Sequence, residues 1–124
     1  MVAKSLIIYG SIFSLLAIIL GAFGAHGLKN ILNDYGNEIF QKAVFYHFIH
    51  AISLILLGSF QNQFSDINLS FSSYCFILGI ILFSGSLYLL AITNIKWLGA
   101  ITPIGGIGFI AGWSYMIYAF YNYN

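Results

Sequence analysis

Side chains that could do chemistry are few in this chain, and the histidines stand out among them. His47 and His50 are three residues apart, so they can lie on the same side of one helix. His26 ends the preceding apolar segment. Imidazole groups bind metal ions, bind haem or carry protons when suitable partners surround them. These three residues are therefore the first candidates for a site.

A metal or haem site is one interpretation of the histidines. His26 belongs at a membrane interface, whereas His50 lies about 18 Å below that interface along a helix. The sequence places no carboxylate near His50 to orient its imidazole, as metal ligands usually require. The single cysteine, Cys75, excludes an internal disulfide and a site with several cysteines. We therefore expect no metal and no cofactor, and a histidine-based site stays the less favoured alternative.

Hydroxyl groups near a histidine are also the elements of nucleophilic catalysis. Ser84 and Ser86 lie at a depth comparable to that of His50. Catalysis of this kind also needs a group that orients the base, and the sequence offers neither an acidic residue nor an oxyanion-binding motif there. The sequence therefore predicts a protein that is not an enzyme.

The elements that must position these residues are membrane-spanning helices. The chain has 124 residues, of which 60% are apolar and 6% are charged, whereas a soluble domain is about 25% charged. The charged residues leave four uncharged stretches, namely 5–28, 43–65, 67–95 and 97–124. Each is longer than the roughly 18–20 apolar residues that cross a bilayer core. Continuous apolar runs favour helices over the short alternating strands of a membrane barrel.

The predicted fold class is an all-α integral membrane protein, a bundle of four transmembrane helices in a single domain over residues 1–124. The predicted spans are 5–27, 38–60, 71–93 and 97–120. The polar segment after the first span predicts a short interfacial helix or turn. Four lysines without arginine form no basic face. Membrane lipid is therefore an expected partner, and nucleic acid is not.

Small residues at helical spacing predict close helix packing and a homo-oligomer. The face on span 1 consists of Gly10, Ser14, Ala17 and Gly21. The face on span 4 consists of Gly105, Gly108 and Gly112.

Unusual residues of all four spans converge on one half of the bilayer. In an antiparallel array, the ends of spans 1 and 3 and the starts of spans 2 and 4 share one membrane side. Span 2 carries a polar stripe at helical spacing, which should face the bundle interior because polar groups are costly in lipid. The stripe comprises Glu38, Lys42, Tyr46, His50 and Ser53. Early in span 4, Pro103 removes a backbone donor and can kink the helix.

These features predict a pocket in that half of the bilayer. Its candidate ligand-binding residues are His26, Tyr46, His50, Ser84, Ser86, Tyr88, Thr102 and Gly105. We expect the pocket to bind or pass a small or lipid-like ligand. The alternative is a structural or assembly membrane protein with no ligand, because Ser, His and Tyr also join helices by hydrogen bonds of about 1–2 kcal/mol.

Four linked motifs resemble one family over almost the whole chain. They are Gly21-Ala22-Phe23-Gly24-Ala25-His26-Gly27-Leu28, Tyr46-His47-Phe48-Ile49-His50-Ala51, the segment Leu82–Ala91, and Ile101-Thr102-Pro103-Ile104-Gly105-Gly106 with Gly112-Trp113. The family is domain of unknown function 423, related to transmembrane protein 256. It has Gln after the Tyr of the second motif, where this chain has His47. The resemblance implies a small integral protein of bacterial plasma membranes or mitochondria, and it implies no activity.

The orientation in the membrane has two interpretations. Lys29, Lys42 and Lys96 lie on the side opposite Lys4, and the positive-inside rule then predicts that both termini are outside. Basic C-terminal tails in some members of the family imply cytoplasmic termini instead. The orientation therefore stays open.

Overall fold

Four long helices make up the computed structural model, which describes the backbone of residues 1–124 and every side chain except that of Ala25. They are α1 (Ala3–Gly24), α2 (Asp34–Gln63), α3 (Ser70–Thr93) and α4 (Lys96–Tyr121). All four are apolar, and the shortest has 22 residues. At 1.5 Å per residue that helix is about 33 Å long, which matches a bilayer core of about 30 Å. The predicted all-helical, four-span fold is confirmed.

Helix α2 is longer than the predicted span at both ends. Asn33 caps its start, and the Asn33 side-chain oxygen accepts a hydrogen bond of 2.6 Å from the amide of Gly36. At the other end, Gln61 is still in the helix, and its side-chain amide bonds to the following loop. It donates to the Ile67 carbonyl at 2.6 Å and accepts from the Leu69 amide at 2.9 Å. Polar residues thus extend the helix because their side chains satisfy backbone groups next to it.

Helices α2 and α3 lie at the centre, with α1 packed on α2 and α4 packed on α3. Glycines permit the α1–α2 contact. A methyl group added at Gly10 would lie 2.8 Å from the Ala51 carbonyl oxygen, and one at Gly58 would lie 2.8 Å from the Ala3 carbonyl oxygen. Gly105 contacts the α3 backbone in the same way. The small residues that predicted self-association therefore pack helices within one chain, and the homo-oligomer stays a prediction.

Two of the helices contain a π turn, at Leu20–Gly24 in α1 and at Ile80–Ser84 in α3. Such turns are rare, and they occur often at functional sites. Both lie in the half of the molecule where the sequence predicts the pocket.

The connection between α3 and α4 is a tight hairpin, as its length predicts. Asn94 ends α3 in a left-handed conformation with φ 57°, which asparagine adopts more readily than most residues. A 3₁₀ turn, Lys96–Ala100, then precedes the α-helical part of α4, Thr102–Tyr121. Pro103 lies in the first turn of that part, where its missing N–H would have no partner within the helix. The proline therefore lies at the start of the α-helix and does not produce the kinked entry to span 4 that its position suggested.

Two apolar clusters form the core, one toward each end of the bundle. One includes Leu6, Leu54 and Phe76, and the other includes Phe40 and Leu87. Five of the buried polar residues lie on the helices between them, namely Ser14, His47, His50, Ser53 and Ser84, while Ser72, Ser73 and Ser86 are buried elsewhere on α3. The polar layer therefore crosses the middle of the bundle.

Candidate functional site

His50 joins α2 to α4, and both of its ring nitrogens have partners. Nδ1 lies 2.7 Å from the carbonyl oxygen of Tyr46, and the Trp113 indole N–H donates to Nε2 at 3.1 Å. Because a carbonyl only accepts and an indole N–H only donates, the geometry requires a neutral ring with its proton on Nδ1. The ring also stacks on Phe109, with centroids 3.5 Å apart.

His47 is buried on the same helix but contacts α1 and α3. Its Nδ1 lies 2.9 Å from the hydroxyl of Tyr88. The ring of Phe13 meets it edge-on, with centroids 6.0 Å apart. Its Nε2 is buried without a hydrogen-bond partner among the described residues. His47 is one of the three histidines first considered, but the predicted pocket does not include it because it lies off the polar stripe of span 2.

The candidate hydroxyl groups of α3 bond directly to neighbouring helices. Ser84 donates to the Ala43 carbonyl of α2 at 2.8 Å. The hydroxyl oxygens of Ser86 and Thr102 are 2.6 Å apart and join α3 to α4. Next to this pair, a methyl group on Gly105 would lie only 2.8 Å from the Cα of Phe83. Backbone contact between α3 and α4 therefore fills the space beside these hydroxyls.

The eight residues of the predicted pocket lie in separate parts of the structure. Tyr46 and His50 stack on Phe109 of α4, while Tyr88 pairs with His47 near α1. His26 is exposed and lines a polar surface pocket that the other seven candidates do not line.

An open apolar groove of about 660 Å³ runs between α1 and α2. Gln41 is the one lining residue with a polar side chain, and the surface of the groove is almost entirely apolar. The lining consists of Ala17, Ile18, Gly21, Ala22, Gln41, Val44, Phe45, Phe48 and Ile49. Gly21 and Ala22 belong to the π turn of α1, and a methyl group at Gly21 would approach Val44 to 2.9 Å. The groove therefore depends on small residues at this turn.

A polar pocket of about 460 Å³ adjoins the groove at the membrane interface. It is formed by the turn between α1 and α2 together with the start of α2. Its lining consists of His26, Leu28, Lys29, Leu32, Asn33, Asp34, Asn37 and Gln41. Gln41 lines both spaces. The apolar groove and the polar pocket therefore meet at one residue.

Comparison with known proteins identifies the family. A family model described as "Protein of unknown function (DUF423)" matches residues 20–106. The chain belongs to this family. The matched DUF423 region includes all eight candidate residues and extends from the π turn of α1 into α4. The family predicted from the four motifs is confirmed.

The chain is also similar to several UPF0382 membrane proteins. It is 45% identical to one from Staphylococcus haemolyticus over 92% of this chain and 93% of that protein. It is 42% identical to one from Bacillus subtilis over 97% of this chain and 98% of that protein. No solved structure matches the chain. These names and the four apolar helices identify an integral membrane protein of the DUF423 family.

Proposed function

We propose that the protein binds a lipid-like amphiphile between α1 and α2 and acts by binding rather than by catalysis. The apolar chain of the ligand lies in the groove, and its head group lies in the adjoining polar pocket. The observation that carries this proposal is that Gln41 lines both spaces, so that the two lie side by side. An amphiphile has the matching arrangement, an apolar part joined to a polar end.

The chemistry of each space suits one end of such a molecule. The groove volume lies within the roughly 300–1,000 Å³ that small-molecule sites occupy, and its walls are apolar over most of their surface. The polar pocket contains one charge of each sign, Lys29 and Asp34, together with side-chain amides. The head group that fits this pocket best therefore carries hydrogen-bond acceptors, which Lys29 would bind, and a positive charge, which Asp34 would bind. Because the groove opens along the sides of two spans, a ligand can enter from the bilayer.

Native mass spectrometry of the protein purified in mild detergent tests the proposal. We expect a retained amphiphile on the wild-type chain and a loss of at least tenfold in Ala22→Trp, because the indole would occupy the groove. Ala100→Trp is the matched control, since this exposed alanine of α4 lies outside the groove. Equal retention by the two variants, or a wild-type chain with no retained molecule, would contradict the proposal.

A structural role is the second candidate, and the interhelical bonds favour it. Polar groups of Ser84, Ser86 and His50 all bond to other helices. Under this alternative, His50→Ala and Ser86→Ala each lower the melting temperature by several degrees, and no molecule co-purifies with the wild-type chain. A retained molecule that Ala22→Trp displaces without loss of stability excludes a purely structural role.

The location of the protein follows the same reasoning. We propose the plasma membrane, because the relatives described above are membrane proteins of Staphylococcus and Bacillus species. Fractionation of cells that produce the tagged chain tests this location.

A further inference from the structure

A second cavity lies between α1 and α2, at the end of the bundle opposite the polar pocket. Its volume is about 610 Å³, and it is formed by the start of α1 and the end of α2. Each of its α1 residues lies fourteen positions before an α1 residue of the groove, as Lys4 and Ile18 show. Each of its α2 residues lies fourteen positions after an α2 residue of the groove, as Gln63 and Ile49 show. Because fourteen residues make nearly four helical turns and about 21 Å of helix, the second cavity lies on the same side of the α1–α2 pair, toward the other surface of the bilayer.

The second cavity is separate from the groove, because α1 and α2 touch between them. A methyl group added at Gly10 would lie 2.8 Å from the Ala51 carbonyl oxygen. Gly10 follows the α1 residues of the second cavity and precedes those of the groove, and Ala51 lies between the two sets of α2 residues. The bilayer core is about 30 Å thick, so spaces about 21 Å apart along a helix lie in different leaflets. A ligand of the second cavity is therefore a different molecule from a ligand of the groove.

The lining of the second cavity is polar at the membrane surface and apolar one helical turn deeper on α1. Lys4, Asn62 and Gln63 lie at the helix ends, whereas Ile7 and Ile8 come one turn later in α1. The ammonium and the two side-chain amides supply hydrogen-bond donors. This order matches a phospholipid of the same leaflet, whose head group lies outside its acyl chains.

The second cavity also has a positive charge that its own lining does not balance. Lys4 is the one charged residue among those that line it. The carboxylate that follows α2, Asp66, lines a neighbouring pocket together with Met1. The hydroxyl of Ser59 donates within its own helix, so its oxygen is left to the cavity as an acceptor. A zwitterionic head group would bring an ammonium for which the lining has no carboxylate, and an anionic head group therefore fits better.

We propose that the second cavity binds the phosphate group of an anionic phospholipid from the bilayer. Lys4 is the charged partner of the phosphate, and the amides of Asn62 and Gln63 are its further donors. The acyl chains leave the cavity over Ile7 and Ile8 and enter the surrounding lipid. The groove and the second cavity have no lining residue in common, so this site does not depend on whether the groove binds an amphiphile.

Photo-cross-linking of the full chain in phosphatidylcholine nanodiscs tests this site. The probes are phosphatidylglycerol and phosphatidylcholine, each with the same photoreactive acyl chain and each present at a low, non-saturating fraction. We expect phosphatidylglycerol to label residues 3–8 and 59–63 more strongly than phosphatidylcholine does. Lys4→Gln should lower that label about fivefold, the effect of one lysine at an anionic membrane surface. Lys96→Gln is the matched control, since this exposed lysine lies at the other end of the bundle, and it should leave the label unchanged.

Three results would overturn the phospholipid site. The first is equal labelling of residues 3–8 and 59–63 by the two probes or in Lys4→Gln and the wild-type chain. The second is an equal loss in Lys96→Gln, which would show a general attraction between lysines and anionic lipid. The third is displacement of the label by millimolar inorganic phosphate, which would show a site for the free anion. Ala22→Trp, which blocks the groove, should leave this label unchanged, so a failure of the groove proposal is distinguished from a failure of this one.

Discussion

The contact of Gly105 with the Phe83 backbone gives a quantitative test of the α3–α4 packing. A methyl group at Gly105 would lie 2.8 Å from both Cα and Cβ of Phe83, whereas ordinary contact begins at 3.4 Å. The obstacle is backbone, which cannot rotate away as a flexible side chain can. Gly105→Ala therefore forces α4 away from α3 by more than half an ångström.

Gly106 is the matched control, because it has the next position on the same helix and the same substitution. A methyl group there would lie 3.7 Å from the nearest ring carbon of Phe83, which is ordinary contact. Alanine favours a helix over glycine by about 0.8–1 kcal/mol, and this gain cancels when the two variants are compared. Overpacking of a core costs about 1–3 kcal/mol. We therefore expect Gly105→Ala to unfold with a free energy about 1–3 kcal/mol lower than that of Gly106→Ala.

Unfolding in mixed micelles of a mild detergent and dodecyl sulfate measures this difference. Tryptophan fluorescence follows the loss of tertiary packing, since Trp113 contacts Phe76 of α3 with ring centroids 5.0 Å apart. Circular dichroism of both variants checks that the helices remain. Equal unfolding midpoints, or a more stable Gly105→Ala, would refute direct backbone contact between α3 and α4.

Three further predictions concern polar contacts and assembly. Trp113→Phe should lower the free energy of unfolding by about 1–3 kcal/mol, because His50 Nε2 loses its donor. The control Trp97→Phe, at an exposed position, should not lower it. Equal free energies of unfolding for the two variants in a denaturation series would contradict this prediction. Ser84→Ala should cost about 0.6–2 kcal/mol in the same assay through loss of the bond to Ala43, and an effect no larger than that of exposed Ser11→Ala would disprove it. For self-association, native mass spectrometry should detect more than one chain per particle, and single chains at every detergent concentration would count against it.

The charges of the chain contain most of the information about its spans. Because a charge is costly in lipid, the uncharged stretches locate the helices without reference to any neighbour. The ends of α2 were harder to predict from the sequence, since they depend on local hydrogen bonds made by side chains. Asn33 starts this helix at Asp34, and Gln61 remains helical while it binds the next loop.

The site was harder to predict than the spans. The polar stripe of span 2 was predicted to face the bundle interior, and this is wrong for most of it: His50 and Ser53 are buried, but Glu38, Lys42 and Tyr46 are exposed. The donor to His50, Trp113, lies 63 residues away in the chain. Ser14 has the same residue type as Ser11, and only the packed structure distinguishes the buried hydroxyl from the exposed one.

Composition and charge spacing alone establish a helical membrane protein with four spans, because the cost of placing each residue in lipid depends mainly on that residue. Which polar groups meet, and where a groove opens between α1 and α2, depends on how each helix is rotated and how closely it approaches its neighbours. Those quantities follow from contacts such as that of Gly10 with Ala51, whose partners are far apart in the chain. The pairing of His47 with Tyr88 is therefore a property of the packed bundle.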